Sequence, residues 1–247
     1  MNDGYFYDNR ISFNPDYRKT LPLESHVVVL EGINKSGKDF ISESLRQEFP
    51  DQVIVFKFPN NVHIINQIRS VYRAVGEARK YNVFKTSKEN IYTTYEEQLW
   101  RTVHDLFHVD FIDFDYSKLN LLNNKVIIFN RWMPSNIVYG NLHGVYESRW
   151  YQNYGKLIPD YCYYLRVNNA DFTTYDNLFP KSINTFSTEE QQLSPDRLIT
   201  QGQEYYDEIL PRMIMDKKMW GVETVKALRD DTYSYIRNDL LKKEWLK

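Results

Sequence analysis

Short runs of β-branched and aliphatic residues recur along the chain, and stretches whose apolar residues have helical spacing lie between them. The short runs predict strands at residues 26–30, 52–58, 125–130, 160–167 and 222–227. The stretches between them predict helices at residues 40–49, 62–76, 89–114, from 134 onward, 198–215 and 230–243. Strands that alternate with helices imply right-handed crossovers between parallel strands. The pattern therefore predicts an α/β domain with a parallel five-stranded sheet flanked by helices.

Two segments lie outside this regular pattern. Residues 1–25 mix polar, charged and aromatic residues without a period, which predicts an N-terminal extension before a domain at residues 26–247. Residues 168–197 are polar and interrupted by proline, and long segments of this kind often act as lids. The second strand is apolar on both of its faces, which predicts that it is buried on both sides of the sheet.

Composition narrows the range of partners. The chain has 247 residues, of which 31 are basic and 33 acidic, and the resulting net charge of −2 argues against duplex nucleic acid or an anionic membrane as the main partner. Its single cysteine, Cys162, cannot form an internal disulfide, which favours a reducing compartment. The chain begins without an apolar signal segment, and no apolar run approaches the roughly 20 residues needed to cross a bilayer. We therefore expect a cytoplasmic protein.

A glycine-bearing loop follows the first strand and opens the first helix. Residues 32–39 read GINKSGKD and match the phosphate-binding pattern G-x-x-x-x-G-K. Glycines allow backbone N–H groups to surround a phosphate, the helix N-terminus adds positive potential, and the lysine reaches the β and γ oxygens. The sequence therefore predicts a nucleotide site that contains Gly32, Asn34, Ser36, Gly37, Lys38 and Asp39.

The last position of this loop departs from the pattern. Asp39 stands where a serine or threonine hydroxyl usually binds Mg²⁺. A carboxylate is also a good Mg²⁺ ligand and is favoured at a helix N-terminus, so we expect a strong dependence on magnesium. The alternative is a loop that binds nucleotide without turning it over.

The third predicted strand ends in Asn130 and Arg131, at the sheet edge where α/β folds bind their ligands. In a nucleotide kinase, this edge needs an acidic group near the metal and an arginine that bridges the donor and acceptor phosphates. Arg131 fits the second role, with a surface ion pair as the alternative. Asn130 is neutral, whereas Asp39 supplies an additional carboxylate. We interpret the two as an exchange of parts within one metal site, formed by Asp39 and Asn130.

Taken together, these motifs resemble thymidylate kinase. Similar segments occur in the same order at residues 27–39, 56–60, 127–132, 134–140, 157–167 and 201–209, and the resemblance covers about residues 26–243. The SGKD sequence is also similar to the loop of phage-type deoxynucleoside monophosphate kinases. The resemblance implies a P-loop NTPase fold, ATP and Mg²⁺ as cofactors, and a homodimer through the long helices. The Asn and Tyr content is typical of an AT-rich genome such as that of a virus, which would place the protein in a host cytoplasm.

The resemblance also implies roles for individual residues. Lys35 lies where one subtype of the family has a basic residue that supports the transition state, so Lys35, Lys38 and Arg131 would share catalysis with Mg²⁺. The alternative for Lys35 is a solvated loop lysine. Lys57 and Phe58 match the segment that holds the acceptor nucleotide, although a core phenylalanine is the commoner fate of such a residue.

Further acceptor-binding candidates lie on predicted helices. They are Arg69, Arg73 and Arg101 for the phosphate, and Tyr139, Gln98 and Trp100 for the base. The family pattern places an arginine near Asp110 or Phe111, where this sequence has none. His104 and His108 have the i, i+4 spacing of a metal-binding pair, but no third ligand converges on them, and we interpret them as partly exposed helix histidines.

These observations favour a kinase that transfers the γ-phosphoryl group of ATP to a deoxynucleoside monophosphate, either dTMP or a related, modified pyrimidine nucleotide. One alternative is a kinase that acts on a nucleoside or on a base in DNA, which would need a cationic groove that a net charge of −2 does not favour. The other alternative is a catalytically inactive nucleotide-binding protein. Magnesium-dependent turnover separates the inactive protein from both kinases.

Overall fold

The computed structural model describes residues 25–80, 91–114, 119, 122–145, 158–167, 195–216, 221–227 and 229–247. Helices and strands alternate along these ranges. Their order is β1 (His26–Glu31), α1 (Lys38–Glu48), β2 (Val53–Lys57), α2 (Val62–Lys80), α3 (Ile91–Ile112), β3 (Val126–Asn130), α4 (Met133–Leu142), β4 (Tyr161–Arg166), α5 (Pro195–Met215), β5 (Val222–Lys226) and α6 (Arg229–Lys242).

The five strands form one parallel sheet in the order β2-β3-β1-β4-β5. Strand β1 lies at its centre, and its residues Val27 to Glu31 are buried because β3 and β4 cover its two edges and helices cover its faces. All strands run in the same direction, so their carboxyl ends meet at one edge of the sheet. The predicted fold class is therefore confirmed.

Alternate residues of the strands pack into two separate hydrophobic layers. Val27 and Val29 of β1 belong to the larger layer, which helices α2 to α5 cover. Val28 and Leu30 face the opposite layer, where α1 and α6 pack. Because successive side chains of a strand point to opposite faces, a continuous apolar run is what a central, doubly covered strand requires.

Strand β2 corrects one prediction. Its apolar sequence predicts burial on both faces, but β2 is an edge strand, paired only with β3 among the described strands. Val53 is buried, the next three residues are half-buried, and Lys57 at its end is exposed. The exposed end of β2 places a cation at the sheet edge where the other strands also end.

The predicted extension and most of the predicted lid, residues 168–194, lie outside the described residues. Residues 195–197 of the predicted lid belong to helix α5. Among the described helices, none combines the length and apolarity that a transmembrane span requires.

Candidate active site

The loop between β1 and α1 has the backbone conformation that its glycines permit. Gly32 and Gly37 have φ angles of 139° and 96°, and Lys35 has a φ of 62°. A Cβ at Gly32 would lie 2.6 Å from the carbonyl oxygen of Leu165, so a side chain does not fit there. The sequence therefore needs glycine at this position to pack the loop against β4.

Lys38 lies inside this loop and is nearly fully buried. Its Nζ donates hydrogen bonds to the carbonyl oxygens of Gly32 (2.8 Å) and Ile33 (2.6 Å) and to Ser36 Oγ (3.0 Å). Burial, together with the charge of Arg131, lowers the pKa of Lys38 well below its usual value. These contacts hold the ammonium group at the centre of the predicted phosphate site.

Arg131 follows directly after β3 and reaches back over the same loop. Its φ of 73° is unusual for a residue with a side chain. Its Nη1 donates to the Gly32 carbonyl oxygen (3.2 Å) and Ser135 Oγ (3.1 Å), and its Nη2 donates to Asn34 Oδ1. The guanidinium lies 5.2 Å from the ring centre of Tyr139, whose hydroxyl accepts the Asn34 N–H at 2.7 Å. Arg131 is thus held at the mouth of the loop.

The two residues that depart from the usual pattern, Asp39 and Asn130, are in direct contact. Asn130 Nδ2 donates to Asp39 Oδ1 at 2.7 Å, and Lys57 Nζ donates to the same oxygen at 2.7 Å. Burial would raise the pKa of Asp39, but the hydrogen bond and charge of Lys57, the charge of Lys38 and the hydrogen bond from Asn130 together lower it. Asp39 is therefore ionised at neutral pH.

The donor set of this pair fits Mg²⁺. The ion prefers oxygen ligands and usually binds proteins through one or two carboxylates together with substrate phosphates. Asp39 supplies one ionised carboxylate with an exposed side chain, and Asn130 supplies an amide that is buried beside it. Among the described residues no cluster of three or more His, Cys, Asp or Glu side chains could hold a metal. A metal at this edge would therefore rely on the nucleotide phosphates for its remaining ligands.

A cleft of about 640 Å³ opens above the loop and brings most of the predicted site residues together. Its predicted members are Asn34, Lys35, Gly37, Lys38, Asp39, Lys57, Phe58, Arg69, Asn130, Arg131 and Tyr139. Gly32 and Ser36 lie behind this surface, where both accept hydrogen bonds from Lys38. The lining combines cationic side chains with aromatic ones, among them Phe58, Phe107, Phe111 and Tyr139.

The sequence model of the thymidylate kinase family matches residues 30–174. The chain belongs to the thymidylate kinase family. Its fold is similar to that of thymidylate kinase from Candida albicans (16% identity, 90% of this chain and 93% of that chain covered, TM-score 0.56). It is also similar to deoxyadenosine kinase from M. mycoides (16% identity, 88% and 99% covered, TM-score 0.52). No curated protein sequence matches the chain.

Family membership confirms the predicted enzyme class, because the chain is a thymidylate kinase-like nucleoside monophosphate kinase. Two of the arginines that the sequence predicts for binding the acceptor phosphate nevertheless lie away from the cleft. Arg73, one turn after Arg69 on α2, is exposed and does not line it. Arg101 forms an ion pair with Glu97 (2.9 Å) and does not line it either.

The two predicted base-binding residues of α3 also lie outside the cleft lining. Gln98 is exposed. Trp100 is buried and stacks on His143, with ring centres 3.7 Å apart and an interplanar angle of 2°. Trp100 therefore serves the packing of α3 against the end of α4.

Phe58 lies in the aromatic core and also reaches the edge of the cleft. Its side chain is 3% exposed, and its ring packs within 5.5 Å of the aromatic rings of Phe111, Phe114, Phe129 and Trp132, with centroid distances of 4.9, 5.2, 5.3 and 5.4 Å. It also contributes to the cleft wall. The kinase thus exposes only a small part of Phe58, whereas Phe107, which the sequence analysis did not select, is half-buried in the same wall.

The helix histidines differ from their prediction, because His104 and His108 are buried. His104 lines the cleft, and its ring nitrogens lie 2.9 Å from Asn136 Oδ1 and 2.9 Å from His143 Nδ1. Asn136 Nδ2 donates to the His104 carbonyl oxygen at 3.2 Å. Burial lowers the pKa of His104 to about 4, so it is neutral and joins α3 to α4.

Asp110 occupies the region where the family pattern has an arginine. Its carboxylate accepts the backbone N–H groups of Asn60 and Asn61, each at 2.7 Å. Burial raises the pKa of Asp110, although these two hydrogen bonds oppose the effect. Asp110 therefore fixes the turn between β2 and α2, directly after Lys57 and Phe58.

Glu31 is a buried acidic residue next to the loop that was not among the candidates selected from the sequence. It ends β1 directly before Gly32, is fully buried, and accepts hydrogen bonds from the Trp132 N–H, Ser135 Oγ and Tyr206 hydroxyl. Burial raises its pKa, although Ser135, Arg131, Trp132 and Lys38 act in the opposite direction. In the sequence, Glu31 stands out as an acidic residue at the end of an apolar strand, HVVVLE.

Proposed function

We propose that this kinase transfers the γ-phosphoryl group of ATP to a deoxynucleoside monophosphate, either dTMP or a related pyrimidine nucleotide, with Mg²⁺ as cofactor. The observation that carries the proposal is the common cleft, which residues of the phosphate loop line together with two further cations, Lys57 and Arg69. A cleft that has cations in addition to those of the loop suits two phosphate-bearing substrates. Arg131 lies at the mouth of the loop, where it can reach both.

The donor nucleotide would occupy the loop. Backbone N–H groups of the loop and the N-terminus of α1 would bind the β- and γ-phosphates, as helix N-termini bind anions in general. Lys38 would exchange its bonds to Gly32 and Ile33 for phosphate oxygens. Asp39 and Asn130 would hold Mg²⁺, which neutralises the phosphate charge that accumulates during transfer.

The acceptor monophosphate would bind on the side of Lys57 and Arg69. Arg69 is exposed on α2 and lines the cleft, and no hydrogen bond or ion pair ties its side chain to the described residues. Its planar guanidinium suits bidentate contact with a phosphate. The aromatic part of the cleft, with Phe107 and Tyr139, would then face the nucleoside.

Chemistry at this site consists mainly of positioning and charge neutralisation, because phosphoryl transfer proceeds through a loose transition state. Arg131 and Lys35 would supply positive charge beside the transferring group, Arg131 from the position after β3 and Lys35 from the loop. The acceptor phosphate oxygen attacks in line, and ADP leaves on the side of Lys38. A closed cleft would protect the γ-phosphate from hydrolysis.

The test of this proposal is ADP release by the purified protein with ATP and Mg²⁺ against a panel of ribo- and deoxynucleoside monophosphates. Lys38→Ala is the inactive reference, and Lys242→Ala, an exposed lysine of α6, is the matched control. We expect turnover of a pyrimidine deoxynucleotide that Lys38→Ala abolishes and Lys242→Ala retains. Binding of ATP without turnover of any member of the panel would contradict the proposal.

A pair of arginines on α2 tests the acceptor site separately. Arg69 lines the cleft and Arg73, one turn later, does not. We expect Arg69→Ala to raise the KM for the monophosphate about tenfold, the effect of losing about 1.4 kcal/mol of binding. Arg73→Ala should leave this KM unchanged, and the KM for ATP should be unchanged in both variants. Equal effects of the two substitutions would place the acceptor phosphate elsewhere.

A further inference from the structure

Glu31 connects three parts of the fold at one buried point. Its Oε1 accepts the backbone N–H of Trp132 at 2.7 Å, and its Oε2 accepts the hydroxyls of Ser135 at 2.5 Å and Tyr206 at 3.0 Å. Trp132 directly precedes α4, Ser135 lies in its first turn, and Tyr206 belongs to α5. A carboxylate at the end of the central strand thus gathers donors from two helices.

Ser135 links this carboxylate to Arg131. The Ser135 hydroxyl donates to Glu31 and accepts from Arg131 Nη1 at 3.1 Å. The same Nη1 donates to the Gly32 carbonyl oxygen at 3.2 Å, and Tyr206 also points to this carbonyl at 3.3 Å. The position of the guanidinium is therefore defined by a chain of hydrogen bonds that begins at Glu31.

Glu31 also constrains the backbone of Arg131. A left-handed φ of 73° is unfavourable for a residue with a side chain, and such conformations persist where the surroundings hold them. The next peptide N–H, that of Trp132, is bound by Glu31, and the Arg131 N–H donates to the Leu30 carbonyl oxygen at 3.1 Å. Leu30 and Glu31, the last two residues of β1, thus hold the peptide groups on either side of Arg131.

Charge supports the same arrangement. Two cations, Lys38 and Arg131, lie close to the phosphate loop and repel one another. Glu31 is the buried carboxylate that attracts both of them. The three donors that converge on Glu31 favour its ionised form against the effect of burial, and an ionised Glu31 attracts both cations.

We propose that Glu31 is a positioning residue for phosphoryl transfer, which holds the Arg131 guanidinium over the phosphate loop through Ser135 and the Trp132 amide and joins helix α5 to the same point through Tyr206. The inference rests on the proposed role of Arg131. Glu31 lies behind the loop and does not line the cleft, so it acts through Arg131 and not on a substrate.

The first test is Glu31→Gln, which keeps the shape of the side chain and removes its charge. We expect kcat to fall by a factor between about ten and a hundred, because small displacements of a positioning group are costly in catalysis. The KM values for both substrates should change less than about threefold, since Glu31 touches neither. An unchanged kcat would overturn the inference.

Two tyrosines provide a matched pair for the same measurement. Tyr206 and Tyr164 are both buried, and their rings pack 5.1 Å apart, but the Tyr164 hydroxyl points to the Gln203 carbonyl oxygen and not to Glu31. We expect Tyr206→Phe to lower kcat severalfold and Tyr164→Phe to leave it unchanged. Equal losses would indicate a general packing effect and would contradict the inference.

A double-mutant cycle distinguishes positioning from loss of folded structure. In an Arg131→Ala background, Glu31→Gln should lower kcat less than about twofold, because the group that Glu31 positions is absent. If Glu31→Gln lowers kcat by the same factor in both backgrounds, it acts through the fold and the inference is wrong. Should Glu31→Gln fail to fold, Ser135→Ala takes its place in the cycle.

A readout that does not depend on activity keeps this inference separate from the proposed function. Rotation of the Arg131 guanidinium can be followed by NMR of its ¹⁵N-labelled side chain, assigned with Arg131→Lys. We expect restricted rotation in the parent protein and faster rotation in Ser135→Ala and Glu31→Gln. Free rotation in the parent would overturn the inference, whereas restricted rotation in a protein that phosphorylates no nucleotide would contradict only the proposed function.

Discussion

Lys57 and Asp39 form an ion pair between the end of β2 and the start of α1, with Nζ and Oδ1 2.7 Å apart. Asn130 donates to the same carboxylate oxygen from the end of β3. The pair therefore joins the two residues proposed to hold Mg²⁺ to a cation on the proposed acceptor side of the cleft. Both side chains of the pair are largely exposed, so we assign it little weight in folding stability.

Because Asp39 is proposed to hold Mg²⁺, Asp39→Asn should change how the reaction rate depends on the Mg²⁺ concentration. Loss of the carboxylate removes the only charged oxygen ligand among the residues proposed for the metal, so we expect the half-saturating Mg²⁺ concentration to rise about tenfold, which corresponds to about 1.4 kcal/mol. Initial rates at saturating ATP over a range of Mg²⁺ concentrations measure the effect. Full turnover with unchanged magnesium dependence would exclude Asp39 as a ligand.

A reciprocal exchange gives a second prediction for the same site. Asp39→Thr places a hydroxyl in the loop. Asn130→Asp alone would place a second carboxylate against Asp39, where Asn130 Nδ2 now lies 2.7 Å from Asp39 Oδ1. We expect each single variant to lose at least about tenfold in kcat and the double variant to recover most of that loss, because its total charge equals that of the parent. Strictly multiplicative losses in the double variant would show that the two residues do not share one site.

The sequence predicted those features that depend on local chemistry. The loop at residues 32–39 and the strand end at Asn130 and Arg131 follow from glycine positions and from the rule that parallel strands end at one edge. Strand order depends on packing between distant segments, and for this reason the edge position of β2 was not predicted. Position along a helix axis sets a similar limit, since Arg69 and Arg73 share a face of α2 but only Arg69, one turn earlier, lines the cleft.

Contacts between α3 and α4 could not be predicted for the same reason. The spacing of His104 and His108 indicates only that they share a helix face, whereas the partner Asn136 lies 32 positions away. Glu31 was accessible to sequence reasoning in principle, because a carboxylate at the end of a buried strand needs partners or ligands. The identity of those partners required the fold.

Phe58 and Phe107 are expected to respond differently to substitution. Phe58 is nearly buried among aromatic rings, so Phe58→Leu should mainly lower the melting temperature, as expected for a change in packed core volume. Phe107 is half-buried in the cleft wall, so Phe107→Leu should mainly raise the KM for the acceptor, by about threefold to tenfold. Thermal unfolding and substrate titrations of both variants measure the contrast. A larger KM effect in Phe58→Leu would reverse the assignment of the base wall.

Asp110 is expected to stabilise the turn that carries the proposed acceptor residues. Asp110→Asn offers one acceptor oxygen in place of two, so one of the N–H groups of Asn60 and Asn61 loses its partner, at a cost of about 1–3 kcal/mol. Urea unfolding should show this loss, and the KM for the acceptor should rise because Lys57 lies at the start of the same turn. Asp113→Asn, on an exposed position after α3, is the control and should be neutral. Equal stability of the two variants would remove Asp110 from this role.

His104 should make the stability of the kinase depend on pH. Burial lowers its pKa to about 4 in the folded protein, whereas an unfolded histidine titrates near the ordinary value of 6.5. Between these values the unfolded state binds a proton that the folded state does not, so the contribution is complete above pH 6.5 and is lost as pH falls toward 4. The difference corresponds to about 3 kcal/mol over the whole range.

Urea unfolding of the parent and of His104→Gln at several pH values tests this prediction. We expect the parent to be more stable at pH 7 and the difference between the two proteins to shrink toward pH 5, since glutamine does not titrate. His63→Gln, which changes an exposed histidine of α2, should retain the pH dependence of the parent. If the curves for the parent and His104→Gln stay parallel, protonation of His104 does not oppose folding, and its contacts with Asn136 and His143 must tolerate the charged form.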